Sequence, residues 1–216
     1  MTIESSKNLG GIGAILLFIG AIPLVSYLWI VSFVGAVLVL VALHGFANFY
    51  RERGIFNNAL YGVIAGIVGG VAAVTVAFTV ILANIEDLMY ELFPGWNGDW
   101  SSIQGMTPDP SNIDVTKLIP FLIGILAVVA IVWIFSIIAA FFVRRSLKQV
   151  SDKTKTGLFG TAGLLLLIGA ALIIVFGLGF ILMWIAALIL AIAFFNMKIV
   201  ETAPDTTGYT PPPTPV

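Results

Sequence analysis

The chain of 216 residues contains no cysteine, one histidine and only 10% charged residues. Without thiols it builds neither a disulfide framework nor a thiolate-held metal. The single histidine, His44, sits about one turn from a basic cluster near Asn48 and Arg51, with no acid or second histidine close by. It therefore completes neither a metal site nor a catalytic triad, and reads as an interfacial side chain. No Asn-x-Ser/Thr sequon occurs. Nor is there the large basic patch with aromatic platforms that a nucleic acid would need.

What the chain has is apolar surface. Apolar residues make up 60% of it and the mean hydropathy is +1.10. Soluble domains are about half apolar and about a quarter charged, so neither a soluble fold nor a disordered chain fits. Six membrane-crossing helices of about 20 residues need about 120 residues, which the apolar total supplies. The expected fold is all-α: a polytopic transmembrane bundle of six spans over residues 1–200.

The apolar runs cover 9–25, 28–49, 57–85, 118–143, 157–176 and 179–197. Pro23, Ser26 and Tyr27 mark the turn after the first run. Arg51, Glu52, Arg53 and Gly54 stop the second. The third run is longer than a bilayer requires, which predicts tilt or protrusion. Pro120 falls in the first turn of the fourth, where a missing N–H costs little. A very short link joins the fifth and sixth. Residues 86–116 form a polar outer loop, and residues 201–216, with five prolines, form an extended, disordered cytoplasmic tail. Lys7 and the first run imitate a cleaved leader. Leu24 and Ser26 make a poor cleavage site, however, and a second span follows almost at once, so the run reads as a span.

Net charge is only −1, yet it divides sharply along the chain. With an even number of spans, Lys7, Arg51, Arg53, Arg144, Arg145, Lys148, Lys153, Lys155 and Lys198 fall on one side and only Lys117 on the other. Such a bias places both termini in the cytoplasm of a cell-membrane protein. Glu86, Asp87, Glu91, Asp99, Asp109 and Asp114 then lie in a solvated outer loop. The spacing of its acids does not match an EF-hand. The basic stretch 144–155 is attractive to anionic lipid, although orientation alone accounts for it.

An internal echo supports the even count. Gly11, Leu17, Ile19, Gly20 and Ala21 recur as Gly160, Leu166, Ile168, Gly169 and Ala170, which predicts two parallel hairpins flanking a central pair. Chance recurrence of common membrane residues is the alternative.

Gly62, Gly66 and Gly70 stand four apart on the third span, with Ala65, Gly69 and Ala73 on the adjacent ridge. Small residues at this spacing let another backbone approach closely, which makes Gly62, Gly66, Gly69 and Gly70 the candidate helix-packing residues. The expected partner is the fourth or first span, with self-dimerisation as the alternative. The glycines that open the first span (Gly10, Gly11, Gly13) and the fifth (Gly157, Gly160, Gly163) read as close-packing sites. They are not a dinucleotide fingerprint, since no strand precedes them.

No Asp, Glu, Lys or Arg lies within a span. Proton relays and ion-coupled transport ordinarily place such groups there. Thr75, Thr79, Ser136, Thr161 and Asn84 remain, and such side chains ordinarily bond a carbonyl one turn back. Tyr27, Trp29, Tyr90, Trp96 and Trp100 fall near the outer surface and Tyr50 near the inner one, as an aromatic belt would. Trp133 lies mid-span as a packing residue. Ile85, Leu88, Met89, Leu92 and Phe93 recur at helical spacing and extend the third helix or turn it along the surface, until Pro94-Gly95 ends it.

The segments Ser6-Lys7-Asn8-Leu9-Gly10-Gly11-Ile12-Gly13, Asn48-Phe49-Tyr50 and Ile55-Phe56-Asn57-Asn58-Ala59-Leu60 resemble domain of unknown function 996. That is a largely archaeal family of integral membrane proteins. The resemblance is clearest over the first 70 residues and implies no activity, cofactor or site residues. No catalytic set, cofactor or metal is expected from the residues either. The favoured function is a non-catalytic scaffold, assembly partner or bilayer organiser, held in the lipid bilayer with a membrane-protein partner or as a homo-oligomer. A passive pore for a small neutral solute is the alternative, because it too needs no buried charge. Alkaline extraction should leave the protein in the membrane pellet, with protease or labelling maps placing both ends on one side. Recovery in the aqueous fraction without surfactant would contradict this.

Overall fold

The computed structural model describes residues 2–21, 28–109, 114–175 and 177–197. The expectations for Pro23, Ser26, Tyr27, Ser111, Asn112, Lys198 and the proline-rich tail lie outside the described residues, as does the side chain of Trp29. The described residues form six helices: α1 (Ile3–Gly20), α2 (Leu28–Phe49), α3 (Arg53–Leu92), α4 (Val115–Thr154), α5 (Gly157–Leu172) and α6 (Leu178–Asn196). A short 3-10 helix, Trp100–Gly105, lies between α3 and α4, and no strand occurs among the described residues. Four helices, α2, α3, α4 and α6, are long and apolar enough to cross a membrane.

Each helix packs on its neighbours in sequence, and α6 closes the ring against α1. The common core sits at one end of the molecule. Ala14 of α1, Phe46 of α2, Ile55 of α3, Leu147 of α4, Phe159 of α5 and Phe194 of α6 meet there, all fully buried. The Phe194 ring stacks on Phe46 at 5.9 Å and meets the edge of Phe159 at 5.0 Å. Lys7 donates to the Met197 carbonyl at 3.0 Å, and Glu52 pairs with Lys153 at 3.4 Å. Most of the basic residues of the chain therefore gather at this end, while Lys117 lies at the other.

The basic stretch 144–155, expected as a loop, is helical as far as Thr154. Ser146, Leu147, Val150 and Thr154 are buried at spacings of three and four, so this turn of α4 presents one face to the core. Ser146 donates to the Ile55 carbonyl at 2.6 Å, which ties α4 to α3. The sharp reversals that follow α2 and α4 use Arg51 (φ 51°) and Lys155 (φ 55°) in the left-handed region. Pro120 is also displaced from its expected place. Asp114 caps α4 three residues before the apolar run, so Pro120 lies in the second turn.

Beyond the core, α3 and α4 continue together as an antiparallel pair. Gly62 faces Ala139 and Val143, Gly69 faces Phe135, and Val80 faces Gly124, in constant register. The candidate packing glycines divide. A methyl group at Gly62 or Gly69 would collide with α4, whereas Gly66 and Gly70 have nothing within 4 Å. The cause is helical phase. Residues four apart drift about 40° round a helix of 3.6 residues per turn, whereas seven apart drift only about 20°. The row through Gly66 and Gly70 thus winds off the face that Gly62, Gly69 and Ala73 present to α4.

The two hairpins cross through glycine pairs. In α1–α2, Gly13 and Gly35 approach so closely that a methyl on either would meet the carbonyl of the other. In α5–α6, a methyl on Gly179 would overlap the Gly169 carbonyl. The crossings fall at non-equivalent points of the sequence echo, since the echo pairs Gly20, not Gly13, with Gly169.

Gly69→Ala should overpack the α3–α4 contact and cost about 1–3 kcal/mol. Gly66→Ala should be neutral or stabilise α3 by about 0.5–1 kcal/mol. Thermal unfolding of both variants in the same detergent checks the contrast, and equal shifts would contradict the assigned face.

Candidate functional site

Three places concentrate polar or concave features: the cap at the Lys117 end, called the outer cap after the expected orientation, the α3–α4 groove and the basic end. The outer cap is built on the ends of α3 and α4. Gly95 (φ 93°) turns the chain after α3, and the Trp96 indole folds back to donate to the Asp99 carbonyl at 2.8 Å. Trp96 is only 4% exposed, with the rings of Tyr90 and Trp100 each 5.0 Å from its own. Sequence placed Trp96 in a membrane belt, but it forms the small core of this cap. Tyr90 and Trp100 remain about half exposed.

The loop acids act as caps. Asp99 Oδ1 accepts from the Ser101 N–H at 3.0 Å and Asp114 Oδ1 from the Thr116 N–H at 2.9 Å. Glu91 accepts from Lys117 and, at 2.9 Å, from the Asp114 N–H, which locks the end of α3 to the start of α4. Asp109 joins the cap through its N–H, which donates to the Leu92 carbonyl at 2.9 Å. The described parts of this loop are therefore held by Asx-type turns, which composition alone could not place.

The charges shift accordingly. The Lys117 ammonium, then the Asp114 N–H, hold the Glu91 carboxyl below its ordinary 4.5. The N–H and hydroxyl of Ser101 lower Asp99, and the hydroxyl and N–H of Thr116 lower Asp114, both below the ordinary 3.8. Glu91 in turn raises Lys117 above 10.5.

Along the α3–α4 groove, Gly66, Gly69, Gly70, Val132, Phe135 and Ser136 line a notch of about 130 Å³. Further out, Ala77, Val80, Ile81, Phe121, Gly124 and neighbouring apolar residues line a second of about 170 Å³. The second notch is wholly apolar, whereas the first carries a minority of polar surface. Four polar side chains of the spans turn inward on their own helices. Thr75, Thr79, Asn84 and Thr161 donate to the carbonyls of Val71, Thr75, Val80 and Gly157, each four residues back. Ser136 lines the first notch. Trp133, mid-span, donates to the Ala171 carbonyl at 3.0 Å and so pins α4 to α5.

At the basic end, His44 lies 3.1 Å from Asn48 through Nε2 and meets the edge of Phe56 at 4.7 Å. Burial raises the Tyr50 hydroxyl, which has no hydrogen-bond partner among the described residues. Among the described residues no three histidine or acidic side chains converge on a point that could hold a metal. Sequence reasoning missed Gly35, Gly124 and Gly179. The available signal was pairwise, a glycine on one apolar helix facing the glycine or bulky side chain of the next, and it appears only once register is known.

Together these features define a class: a helical bundle with membrane-length apolar helices, polar caps at its ends and an apolar flank between. The chain belongs to the family described as protein of unknown function (DUF996), whose profile matches residues 31–188. It is similar to an uncharacterised protein of Methanocaldococcus jannaschii, at 29% identity over 199 residues, covering 91% of this chain and 94% of that protein. No solved structure matches the chain.

The outer cap should respond to acid. Carboxyls depressed on folding stabilise fully above their ordinary values and lose that contribution as pH falls through their lowered ones. Lys117, being raised, keeps its contribution until pH climbs through its own elevated value. Tryptophan emission should therefore hold steady through neutral pH and shift red below about pH 4. Glu91→Gln should show part of that shift already at neutral pH, and an unchanged spectrum would contradict the coupling.

Proposed function

We propose that this chain is a non-catalytic, multi-pass protein of the cell membrane, acting as a scaffold, assembly partner or organiser of the bilayer around it. The observation that carries the reading is where its polar and apolar groups point. Thr75, Thr79, Asn84 and Thr161 within the spans are spent on their own backbones, while Val74 and Leu126 on the α3–α4 pair are 68% and 65% exposed. Groups that would wet a channel turn inward on the helix, and bulky aliphatic groups face outward. That is the polarity of a surface meant for lipid or for another membrane helix.

Orientation follows from charge. The basic residues of the α2–α3 and α4–α5 reversals share one end of the bundle, and the positive-inside bias assigns that end to the cytoplasm together with both termini. An even number of crossings satisfies this.

Two measurements test the proposal. Mild-detergent purification should recover a homo-oligomer or a stoichiometric membrane partner. Reconstituted liposomes should pass small neutral solutes no faster than empty vesicles. Flux above that background would replace the scaffold with a passive facilitator.

A further inference from the structure

The link between α5 and α6 presents no polar side chain. From Ala162 to Phe195 the sequence is aliphatic, aromatic, glycine or methionine, apart from the indole N–H of Trp184, which donates to the Phe18 carbonyl at 2.9 Å. A turn that emerges into water ordinarily carries Asn, Asp, Ser or charge, as the cap between α3 and α4 does. This one instead offers Ile173, Ile174 and Val175, then Gly177 and Leu178. Ile174 and Leu178 are about half exposed, and Phe180 beside them is 63% exposed.

Among the described residues the turn pairs much of its backbone within the chain. Val175 N–H donates to Leu172 O at 3.0 Å, Gly177 N–H to Ile173 O at 3.1 Å, Leu178 N–H to Val175 O at 3.0 Å and Phe180 N–H to Gly177 O at 3.0 Å. Gly177 supplies the left-handed step, φ 72°, that the reversal requires. The contact of Gly169 with Gly179 brings the two helices close enough for so short a turn. Such a turn asks little of its solvent. That is the requirement hydrocarbon imposes and water does not.

Depth follows from α4. The bond from Trp133 to the Ala171 carbonyl places the end of α5 level with Trp133. From there α4 continues, apolar as far as Leu118, for about 22 Å at 1.5 Å per residue. The whole apolar run 118–143 measures about 39 Å and fits a hydrocarbon core of about 30 Å only with a tilt near 40°. At that tilt Ala171 lies about 17 Å inside the outer boundary and the turn, two to four residues further on, about 13 Å inside, or about 7 Å after allowing for the reach of a tryptophan side chain.

We propose that α5–α6 is a re-entrant hairpin. It enters the bilayer from the basic face, turns between Val175 and Gly177 among lipid acyl chains, and returns to the same face. The geometry makes the protein wider in the half of the bilayer next to its basic end than in the half that α3 and α4 reach beyond the turn. A re-entrant pair keeps the even count, so both termini stay on one side. The inference rests on the membrane placement proposed above and narrows it to one element.

The absence of native cysteine makes the test direct. Ile174→Cys and Leu178→Cys, both at exposed sites, are compared in intact vesicles of both orientations with Ser102→Cys in the outer cap and Lys148→Cys at the basic end. A membrane-impermeant maleimide should label Ser102→Cys from outside and Lys148→Cys from inside. It should label the two turn variants at least about tenfold more slowly from either face until the protein is denatured. A nitroxide on the turn cysteine should be sensed most strongly by probes deep in the acyl chain. Labelling of Ile174→Cys and Leu178→Cys from outside at the Ser102→Cys rate, or strongest contact with headgroup-level probes, would overturn the re-entrant hairpin alone. Labelling of Ser102→Cys and Lys148→Cys from the same face would overturn the membrane placement and the hairpin with it.

Discussion

Backbone that hydrocarbon surrounds must find its hydrogen bonds within the chain, and every apolar element here conforms to that requirement. It suits helical spans and the threonine and asparagine side chains that bend back onto their own helices. Lipid tails are as apolar as leucine, so the helices gain little from hiding apolar surface against one another. What holds them is close approach. Gly13 against Gly35, Gly169 against Gly179, and Gly62 and Gly69 against α4 remove the Cβ atoms that would keep the backbones apart. The aromatic cluster of Phe46, Phe159 and Phe194 fills the one place where all six helices meet.

The two ends of the molecule solve a different problem, because water reaches them. At the outer end, carboxylates are consumed as helix caps and by Lys117, and Trp96 gives the cap a core of its own. At the basic end, α4 carries its helix past the apolar run and buries Ser146, Val150 and Thr154 beneath the charges. At this end Glu52 and Lys153 form an ion pair that links the two reversals, and the basic residues outnumber the acids among the described residues. An uneven distribution of this kind orients a protein across a bilayer without creating a binding site.

How much of this was legible beforehand depends on the range of each signal. Composition and run length are local, and they sufficed for the helical class, for four of the six expected spans as helices of membrane length, and for the continuation of α3 to its Pro94-Gly95 stop. The helical extension of 144–154 was also legible in principle, from buried residues at spacings of three and four, but the density of charge hid it. Trp96 was misplaced because a belt tryptophan and a cap tryptophan look alike in sequence. Only the fold-back of its indole onto Asp99 separates them. Gly66 and Gly70 were grouped with Gly62 because a four-residue repeat looks like a face, although the helix has drifted by the second step.

By itself the sequence determined what each segment could be dissolved in, since hydropathy and charge act residue by residue. It also determined the family, through matches along most of its length. Only the tertiary structure decided which glycines touch, where the α3–α4 pair outruns the shorter hairpins, and that the α5–α6 turn lies beside the middle of α4. These are relations between residues far apart in the chain, set by register and helix phase. A one-dimensional pattern of apolar residues carries neither.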